Sequence, residues 1–289
     1  MEKYSSFKKE IKKYKKIAIC SHDAGGAEVL SSLIKKENRK FYFVLSGPAI
    51  KIFKKKLKNI KIISISDAIN KSEILITSTS IQSDSEKKLI KTFKEKKKIT
   101  ISILDGWSRY KERFIYKDDI IYPDFIWCSD IDSYNIAKKI FLKKKIKIIK
   151  NYYFADMIKD KKIGLIKDEI IFVSNNHDDF YNTKGKDIFI FRKLLKYISS
   201  NKLKIKKIGF KLHPSEKNKK YKDLIKKDNR IYVEKNASLS SILSKYRIVA
   251  GHQSMALVIG NLLGLKTINI KLSKNEKIYI PKRFLDVNI

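Results

Sequence analysis

The feature that most restricts the fold is a regular alternation of short, continuously apolar runs with longer amphipathic stretches. In the first half the apolar runs are residues 16–20, 41–45, 62–65, 74–77, 100–104, 125–128 and 146–149. Amphipathic stretches such as 85–97 and 133–142 lie between them. Strands that are apolar at every position are buried on both faces, as in a parallel sheet covered by helices. The pattern therefore predicts an α/β fold built on parallel sheets.

The same alternation starts again in the second half. Strands are predicted at residues 170–174, 207–212, 231–233, 248–250 and 267–270, and helices near 189–199, 239–245 and 254–263. The polar stretch 152–168 separates the two sets. We therefore expect two doubly wound, Rossmann-like domains, 1–152 and 153–289, that face a central cleft. Their functional residues should lie just beyond the carboxyl ends of the strands.

Composition excludes several other classes of protein. With 43% hydrophobic residues the chain can bury a core, which a disordered polyelectrolyte cannot. The two cysteines, Cys20 and Cys128, are too few for a disulfide scaffold, which favours a reducing compartment and a cytoplasmic location. No apolar run reaches the roughly 18–20 residues that a membrane span requires, and the first residues lack the apolar region of a secretory signal.

The net charge of +36 raises the question of nucleic-acid binding. Only seven of the 66 basic residues are Arg, and the Lys are spread along the whole chain. Sites that read nucleic acids favour Arg for its bidentate and stacking contacts. We therefore do not expect nucleic acid as a partner, although a basic module that binds anionic surfaces stays open as an alternative.

Two polar groups follow strands in the first half. His22, Asp23, Gly25 and Gly26 lie between a strand and a helix, where glycines and a helix N-terminus favour an anionic ligand. The alternative is a tight turn with Asp23 as the helix cap. The second group, residues 77–84, includes Thr79 and Ser80, whose hydroxyls could line a pocket for a sugar or a phosphate. Here the alternative is that Ser83 or Asp84 only caps the next helix.

A third group begins with Asp105, which directly follows the strand at 100–104. A carboxylate at this edge of a sheet is suited to general-base catalysis, and Gly106 lets the chain turn away from it. Arg109 and Arg113 could hold this carboxylate in its ionised form, or bind an anionic group of a substrate. The alternative is a capping role for Asp105 with Trp107 in the core.

The fourth group lies in the second half, after two strands of one sheet. His213 and Pro214 follow one strand, and Gly251, His252 and Ser254 follow another at the start of a helix. Two of the four histidines thus stand at strand ends beside a helix N-terminus, which favours an anion site. The spacing of the histidines and cysteines matches no metal site, so we expect no bound metal and no cofactor.

Taken in chain order, these residues resemble a known family. An Asp-Gly pair at Asp105, a His-Pro pair at His213 and a Ser-containing helix start at Ser254 resemble the GT-B glycosyltransferases of bacterial surface-polysaccharide synthesis. The likeness is closest to the groups of sialyltransferases and polysialyltransferases that use CMP-sugars. The chain departs from the pattern at Leu104, where the family often has a second acid, and it is short for a GT-B enzyme.

The resemblance implies roles for particular residues. Asp105 would be the catalytic base, and His213 with Pro214 would contact the nucleotide phosphate. Ser254, with Ser240 or Ser241, would lie near the same phosphate. The expected activity is metal-independent transfer of a sugar from a nucleotide-sugar donor, CMP-linked in the closest groups, to a cell-surface glycan or lipid-linked acceptor. Two alternatives are a nucleotide-sugar 2-epimerase or hydrolase of the same fold, and a basic module that binds anionic surfaces or nucleic acid.

A cluster of lysines near the N-terminus bears on the acceptor. Phe7, Ile11 and Tyr14 have helical spacing and are surrounded by Lys8, Lys9, Lys12, Lys13, Lys15 and Lys16. A basic amphipathic helix of this kind can bind an anionic bilayer, which would place the chain at the inner face of the membrane. The alternative is a first helix that packs on the sheet.

Overall fold

The computed structural model describes residues 4–159, 166–175, 185–213, 216, 221–234 and 238–289. They form two compact units, Met1–Asp156 and Met157–Ile289. Each unit contains one parallel sheet of six strands, and the first unit also has a short antiparallel hairpin. Both units are Rossmann-like, as the alternation of strands and helices predicts.

The first unit has a mainly parallel architecture with helices in most of the connections between strands. Its strands are β1 Ile17–Ser21, β2 Phe41–Leu45, β3 Ile74–Thr77, β4 Ile99–Leu104, β5 Ile115–Tyr116, β6 Asp119–Ile120, β7 Phe125–Cys128 and β8 Lys145–Ile148. Its helices are α1 Phe7–Ile11, α2 Ala24–Ile34, α3 Pro48–Leu57, α4 Ile65–Lys71, α5 Ser85–Glu95 and α6 Ile131–Ile140, followed by α7 Tyr152–Met157. The strand order in the sheet is β2-β1-β3-β4-β7-β8.

Alternate residues of β1 enter two different cores. Ile17 and Ile19 pack in one apolar cluster, and Ala18 and Cys20 pack in another. Successive side chains of a strand point to opposite faces of the sheet. The sheet is therefore covered on both faces, which explains why β1 is apolar at nearly every position.

One predicted strand of the first unit is wrong. Residues 62–65 were expected to form a strand, but Ile62 makes only an isolated bridge with Phe43. The chain enters α4 at Ile65, and the Ser64 hydroxyl caps that helix by accepting the N–H of Asp67. The helix cap at Ser64 thus prevails over the strand propensity of the short apolar run that contains it.

The second unit repeats the arrangement. Its strands are β9 Ile166–Val173, β10 Lys207–Lys211, β11 Ile231–Val233, β12 Tyr246–Gly251, β13 Lys266–Asn269 and β14 Val287–Asn288, in the order β11-β10-β9-β12-β13-β14. Its helices are α8 Lys186–Ser200, α9 Lys222–Lys227, α10 Leu239–Leu243 and α11 Met255–Leu263. Phe172 of β9 and Phe210 of β10 pack on Phe191 of α8, with ring centroids 4.8 to 5.1 Å apart.

The N-terminal segment packs against the first sheet. Phe7 and Ile11 of α1 are 1% and 0% exposed, and the Phe7 ring packs edge-on against Trp127. Two of the three apolar residues expected to enter a bilayer are therefore buried in the core and the third, Tyr14, is partly buried against it, so α1 packs on the sheet as the alternative expected. No helix in the described part of the chain is long and apolar enough to span a membrane.

In each sheet the strand order reverses direction at one place, which is called the switch point. In the first sheet the chain leaves β1 for β2 on one side and returns to β3 on the other. In the second sheet β9 has β10 on one side and β12 on the other. Crevices at such points, beyond the carboxyl ends of the strands, are where doubly wound sheets bind ligands.

Candidate active site

Three of the four predicted polar groups meet at the switch point of the first sheet. His22 and Asp23 form the loop after β1, and Gly25 and Gly26 lie in the first turn of α2. Ser78 and Thr79 follow β3, and Asp105 follows β4. Asp105 lies against the first turn of α2, because a Cβ added to Gly25 would stand 2.5 Å from its Oδ2. These segments are far apart in the sequence, and the parallel order of β1, β3 and β4 brings them together.

Asp105 is paired with one of the two arginines predicted beside it. Arg113 Nη1 donates to Asp105 Oδ1 at 2.7 Å and to Thr79 Oγ1 at 2.8 Å, and its Nε donates to the Ser108 carbonyl at 3.2 Å. The side chains of Asp105 and Arg113 are 15% and 13% exposed. The guanidinium and the carboxylate form a charge-assisted pair, and part of the carboxylate remains open to solvent.

The glycines after β1 have different functions in this arrangement. Gly26 is buried, and a Cβ on it would lie 2.5 Å from the Cβ of Ser78, so only glycine allows α2 to pack this closely on the loop after β3. Gly25 is exposed at the start of α2, an 11-residue helix. Backbone N–H groups at such a helix start are suited to an anionic group of a ligand.

Asp23 does not act as the side-chain cap that the alternative expected. It occupies the N-cap position of α2, but its Oδ1 lies 2.7 Å from His22 Nδ1. The other side of the His22 ring packs on Gly47, where a Cβ would be 2.6 Å from Nε2. Gly47 also has a φ of +53°, so its lack of a side chain serves both the turn and the position of His22.

A buried carboxyl, Glu86, lies beneath these loops and was not predicted. It is in the first turn of α5, is 1% exposed, and accepts hydrogen bonds from the His22 N–H and the Ser78 hydroxyl. In sequence it looks like an ordinary acidic residue in the first turn of a helix. Nothing local in the sequence indicates that it is buried.

Other predicted residues of this region have supporting positions. Thr79 and Ser80 are almost fully buried, and the Ser80 hydroxyl accepts the N–H groups of Gln82 and Ser83, so it stabilises its loop rather than lining a surface. Arg109 is exposed and lies 4.0 Å from Glu112. Trp107 is buried, as the structural alternative expected, and donates to both carboxylate oxygens of Asp130.

At the switch point of the second sheet, Gly251 and Ser254 lie at the start of α11. A Cβ on Gly251 would be 2.7 Å from Val173 Cγ2 and 2.9 Å from the Val173 carbonyl oxygen, so glycine is required for β12 to lie close to β9. Ser254 is the N-cap of α11 and accepts the Ala256 N–H at 3.3 Å. This helix has nine residues, long enough for a helix dipole that attracts anions.

His252 points toward a neighbouring loop. It is 6% exposed, and its Nε2 lies 2.8 Å from Glu276 Oε1. Burial alone would raise the pKa of Glu276, but hydrogen bonds from His252 and from the Leu272 N–H lower it overall. Gln253, with a φ of +41°, bonds the same loop through Glu276 and the N–H of Tyr279. These contacts tie His252 and Gln253 to this loop.

His213 follows β10 in a region of which only part is described. Its N–H donates to Glu216 Oε2 at 3.1 Å, and Glu216 Oε1 accepts the hydroxyls of Ser174 and Tyr221. Pro214 lies outside the described residues. Ser240 and Ser241 lie in α10, where the Ser241 N–H donates to the N-cap hydroxyl of Ser238.

No protein-family model and no curated protein sequence matches the chain. Solved structures match it in fold. The UDP-GlcNAc 2-epimerase of Methanocaldococcus jannaschii superposes with a TM-score of 0.61 at 13% identity, over 90% of this chain and 85% of that one. Staphylococcus aureus MnaA, solved with UDP, superposes with a TM-score of 0.65 at 9% identity, over 89% and 80% of the two chains.

The fold is GT-B-like. Both units contribute to this similarity, because each has the six-stranded parallel sheet and the helices of a Rossmann-like domain. A GT-B glycosyltransferase, the Escherichia coli heptosyltransferase WaaC, is also similar but more loosely, with a TM-score of 0.42 at 11% identity over 91% of both chains. At these identities the matches establish the architecture, and the chemistry has to be argued from the residues.

Proposed function

We propose that this GT-B-like chain is an enzyme that uses a nucleotide sugar and transfers the sugar to a hydroxyl of a glycan or lipid-linked acceptor. The observation that carries the proposal is the position of Asp105, a carboxylate paired with Arg113 at the switch point of the first sheet. A carboxylate at this edge can remove the proton of an attacking hydroxyl. Gly25 leaves the space in which the carboxylate lies.

The donor belongs to the second unit in this proposal. Departure of the nucleotide leaves negative charge on its phosphate, and the start of α11 with Ser254 offers N–H and hydroxyl donors to it. His213, two residues beyond the end of β10 in the same sheet, is the second group proposed to contact this phosphate. CMP as the donor nucleotide stays a prediction of the resemblance described above.

A screen of CMP, UDP, GDP and CDP compounds against the full chain tests the donor site. A nucleotide present at about 100 times its Kd should stabilise the chain by about 2.7 kcal/mol, which is measured as a rise in Tm. The variant His213→Ala should bind the same nucleotide at least ~10-fold more weakly, equivalent to about 1.4 kcal/mol. Lys226→Ala, an exposed residue of α9, is the control and should bind like the wild type.

Three outcomes of this screen are informative. A nucleotide whose affinity falls in the His213 variant and not in the control supports the donor site. Equal affinity of His213→Ala and the wild type would contradict the role of His213. If no nucleotide raises Tm at any concentration, the proposed function itself is wrong.

A second candidate function is epimerisation of a nucleotide sugar. It is favoured by the solved structures of UDP-GlcNAc 2-epimerases, which superpose on most of the chain. The two reactions differ in what they need, because an epimerase rearranges the sugar without an acceptor. Incubation with the nucleotide sugar alone, followed by analysis of the products, separates them. A rearranged sugar formed without an acceptor would support epimerisation and contradict transfer.

A lipid-linked acceptor would place the enzyme at the cytoplasmic face of an anionic membrane. Because Phe7 and Ile11 are buried, we propose attraction by charge without insertion. Lys9, Lys12, Lys13 and Lys147 line one surface concavity beside α1 with Glu10. Each lysine near an anionic surface contributes about 1 kcal/mol. We expect weak sedimentation with phosphatidylserine vesicles at low salt and loss of binding at high salt.

A pair of charge-reversed variants separates a local binding surface from the general positive charge. One changes Lys9, Lys12 and Lys13 to Glu, and the other changes Lys54, Lys55 and Lys58, exposed lysines in and just after α3. The first should lose vesicle binding and the second should retain most of it. Equal loss in both variants, or no binding of the wild type at low salt, would contradict the proposed surface.

A further inference from the structure

We propose that Glu86 is a positioning residue that holds the loop after β1 in the geometry required by Asp105. It does so by accepting hydrogen bonds, and its negative charge is not needed. The inference rests on the proposed function, because it assumes that Asp105 is the reacting carboxylate. Glu86 itself would not contact a substrate.

Glu86 joins two of the loops that form the site. Its Oε1 accepts the N–H of His22 at 2.9 Å and the hydroxyl of Ser78 at 3.0 Å. The Ser78 hydroxyl also lies 2.7 Å from that of Ser21, at the end of β1. Two residues beyond His22 the chain enters α2, whose Gly25 lies against Asp105. A shift of the His22 backbone would therefore move the surface on which Asp105 rests.

The surroundings of Glu86 raise the pKa of its carboxyl. Burial raises the pKa of Glu86 and the nearby Asp23 charge raises it further, although hydrogen bonds from Ser78 and the His22 N–H lower it. Its Oε2 has no hydrogen-bond partner among the described residues. Cys20 lies close by, fully buried, and Lys87, the next basic residue, pairs with Asp84 instead. An acceptor is therefore what this position needs, and an amide can serve in its place.

The test compares Glu86→Gln with Glu86→Met. Glutamine keeps an acceptor oxygen and removes the charge, whereas methionine keeps the length of the side chain and removes the acceptor. Asp124→Ala is the matched control, because Asp124 Oδ2 also accepts one backbone N–H and one hydroxyl, both of Thr100, but at the opposite edge of the sheet. Its loss should reduce stability without disturbing the loop after β1.

Amide hydrogen exchange of residues 22–27 is the first measurement, since it needs no substrate. We expect exchange at least ~10-fold faster in Glu86→Met, and within about threefold of the wild type in Glu86→Gln and Asp124→Ala. Equally fast exchange in Glu86→Gln would show that the charge is needed, and unchanged exchange in Glu86→Met would show that Glu86 does not hold the loop. Either result overturns the inference.

Turnover of the same variants links the loop to the reaction. Glu86→Met should lower kcat at least ~10-fold with donor affinity unchanged. Glu86→Gln should have a kcat close to that of the wild type. If Glu86→Met does not fold, Ser78→Ala removes one of the two bonds and should also accelerate exchange at residues 22–27. If the wild type turns over no nucleotide sugar, the proposed function fails, and the exchange data still decide whether Glu86 positions the loop.

Discussion

Sugar transfer should fall at least ~10²-fold when Asp105 is replaced by asparagine, which is the usual loss when a general base is removed. Asparagine has nearly the same shape and still offers an oxygen to Arg113, so the fold should be retained. The free energy of unfolding should fall by less than in Arg113→Ala, because the amide oxygen still accepts the hydrogen bond from Arg113. The affinity for the donor nucleotide should not change, because the proposed donor site is in the second unit.

Turnover per folded molecule and Tm, measured on the same purified variant, separate a catalytic role of Asp105 from a structural one. Asp124→Asn is the control, since it changes another partly buried carboxylate of the same sheet at the edge away from the site. We expect it to keep full turnover. A stable and fully active Asp105→Asn protein would contradict the proposal and transfer the role of base to another residue, with Asp23 the next candidate.

The strands could be predicted from the sequence because burial on both faces leaves a simple signal. The residues of β2, β3, β7 and β11 have the bounds expected from their apolar runs. The strand predicted at 62–65 is wrong because Ser64 caps a helix there, and a single bridge with Phe43 does not make a strand. Helix α3 was missed between Gly47 and Lys58, since its lysine-rich sequence buries only Ala49 and Phe53.

The meeting of the polar residues at one edge of the first sheet could also be predicted, but their contacts with one another could not. Polar residues after β1, β3 and β4 must meet at one edge of a parallel sheet, which follows from the alternation alone. Which arginine pairs with Asp105 depends on the turn from Gly106 to Phe114, where Arg109 has a φ of +54° and points to Glu112 instead. The bond from the His22 N–H to Glu86 and the packing of His22 on Gly47 join residues 25 or more positions apart, and no local pattern encodes them.

The largest loss of stability is expected for Arg113→Ala. The substitution would leave the Asp105 carboxylate, 15% exposed, without its partner charge and would remove the donors to Thr79 and to the Ser108 carbonyl. Removing one member of a largely buried ion pair leaves the other charge uncompensated and lowers the free energy of unfolding by about 3 kcal/mol or more. Denaturant unfolding measures this loss directly. Turnover should fall as well, because an unpaired Asp105 is free to leave the position that Gly25 and Arg113 define.

A double substitution shows whether the loss comes from the unpaired charge. Asp105→Asn combined with Arg113→Ala should be more stable than Arg113→Ala alone, because the uncompensated carboxylate is then absent. Arg230→Ala is the control, since Arg230 pairs with Asp228 at 2.7 Å but the two side chains are 39% and 21% exposed. Ion pairs that are more exposed to solvent contribute about 1 kcal/mol or less to the free energy of unfolding. If Arg113→Ala cost no more than Arg230→Ala, solvent would be compensating Asp105, and Arg113 would not be needed to hold the carboxylate at this edge of the sheet.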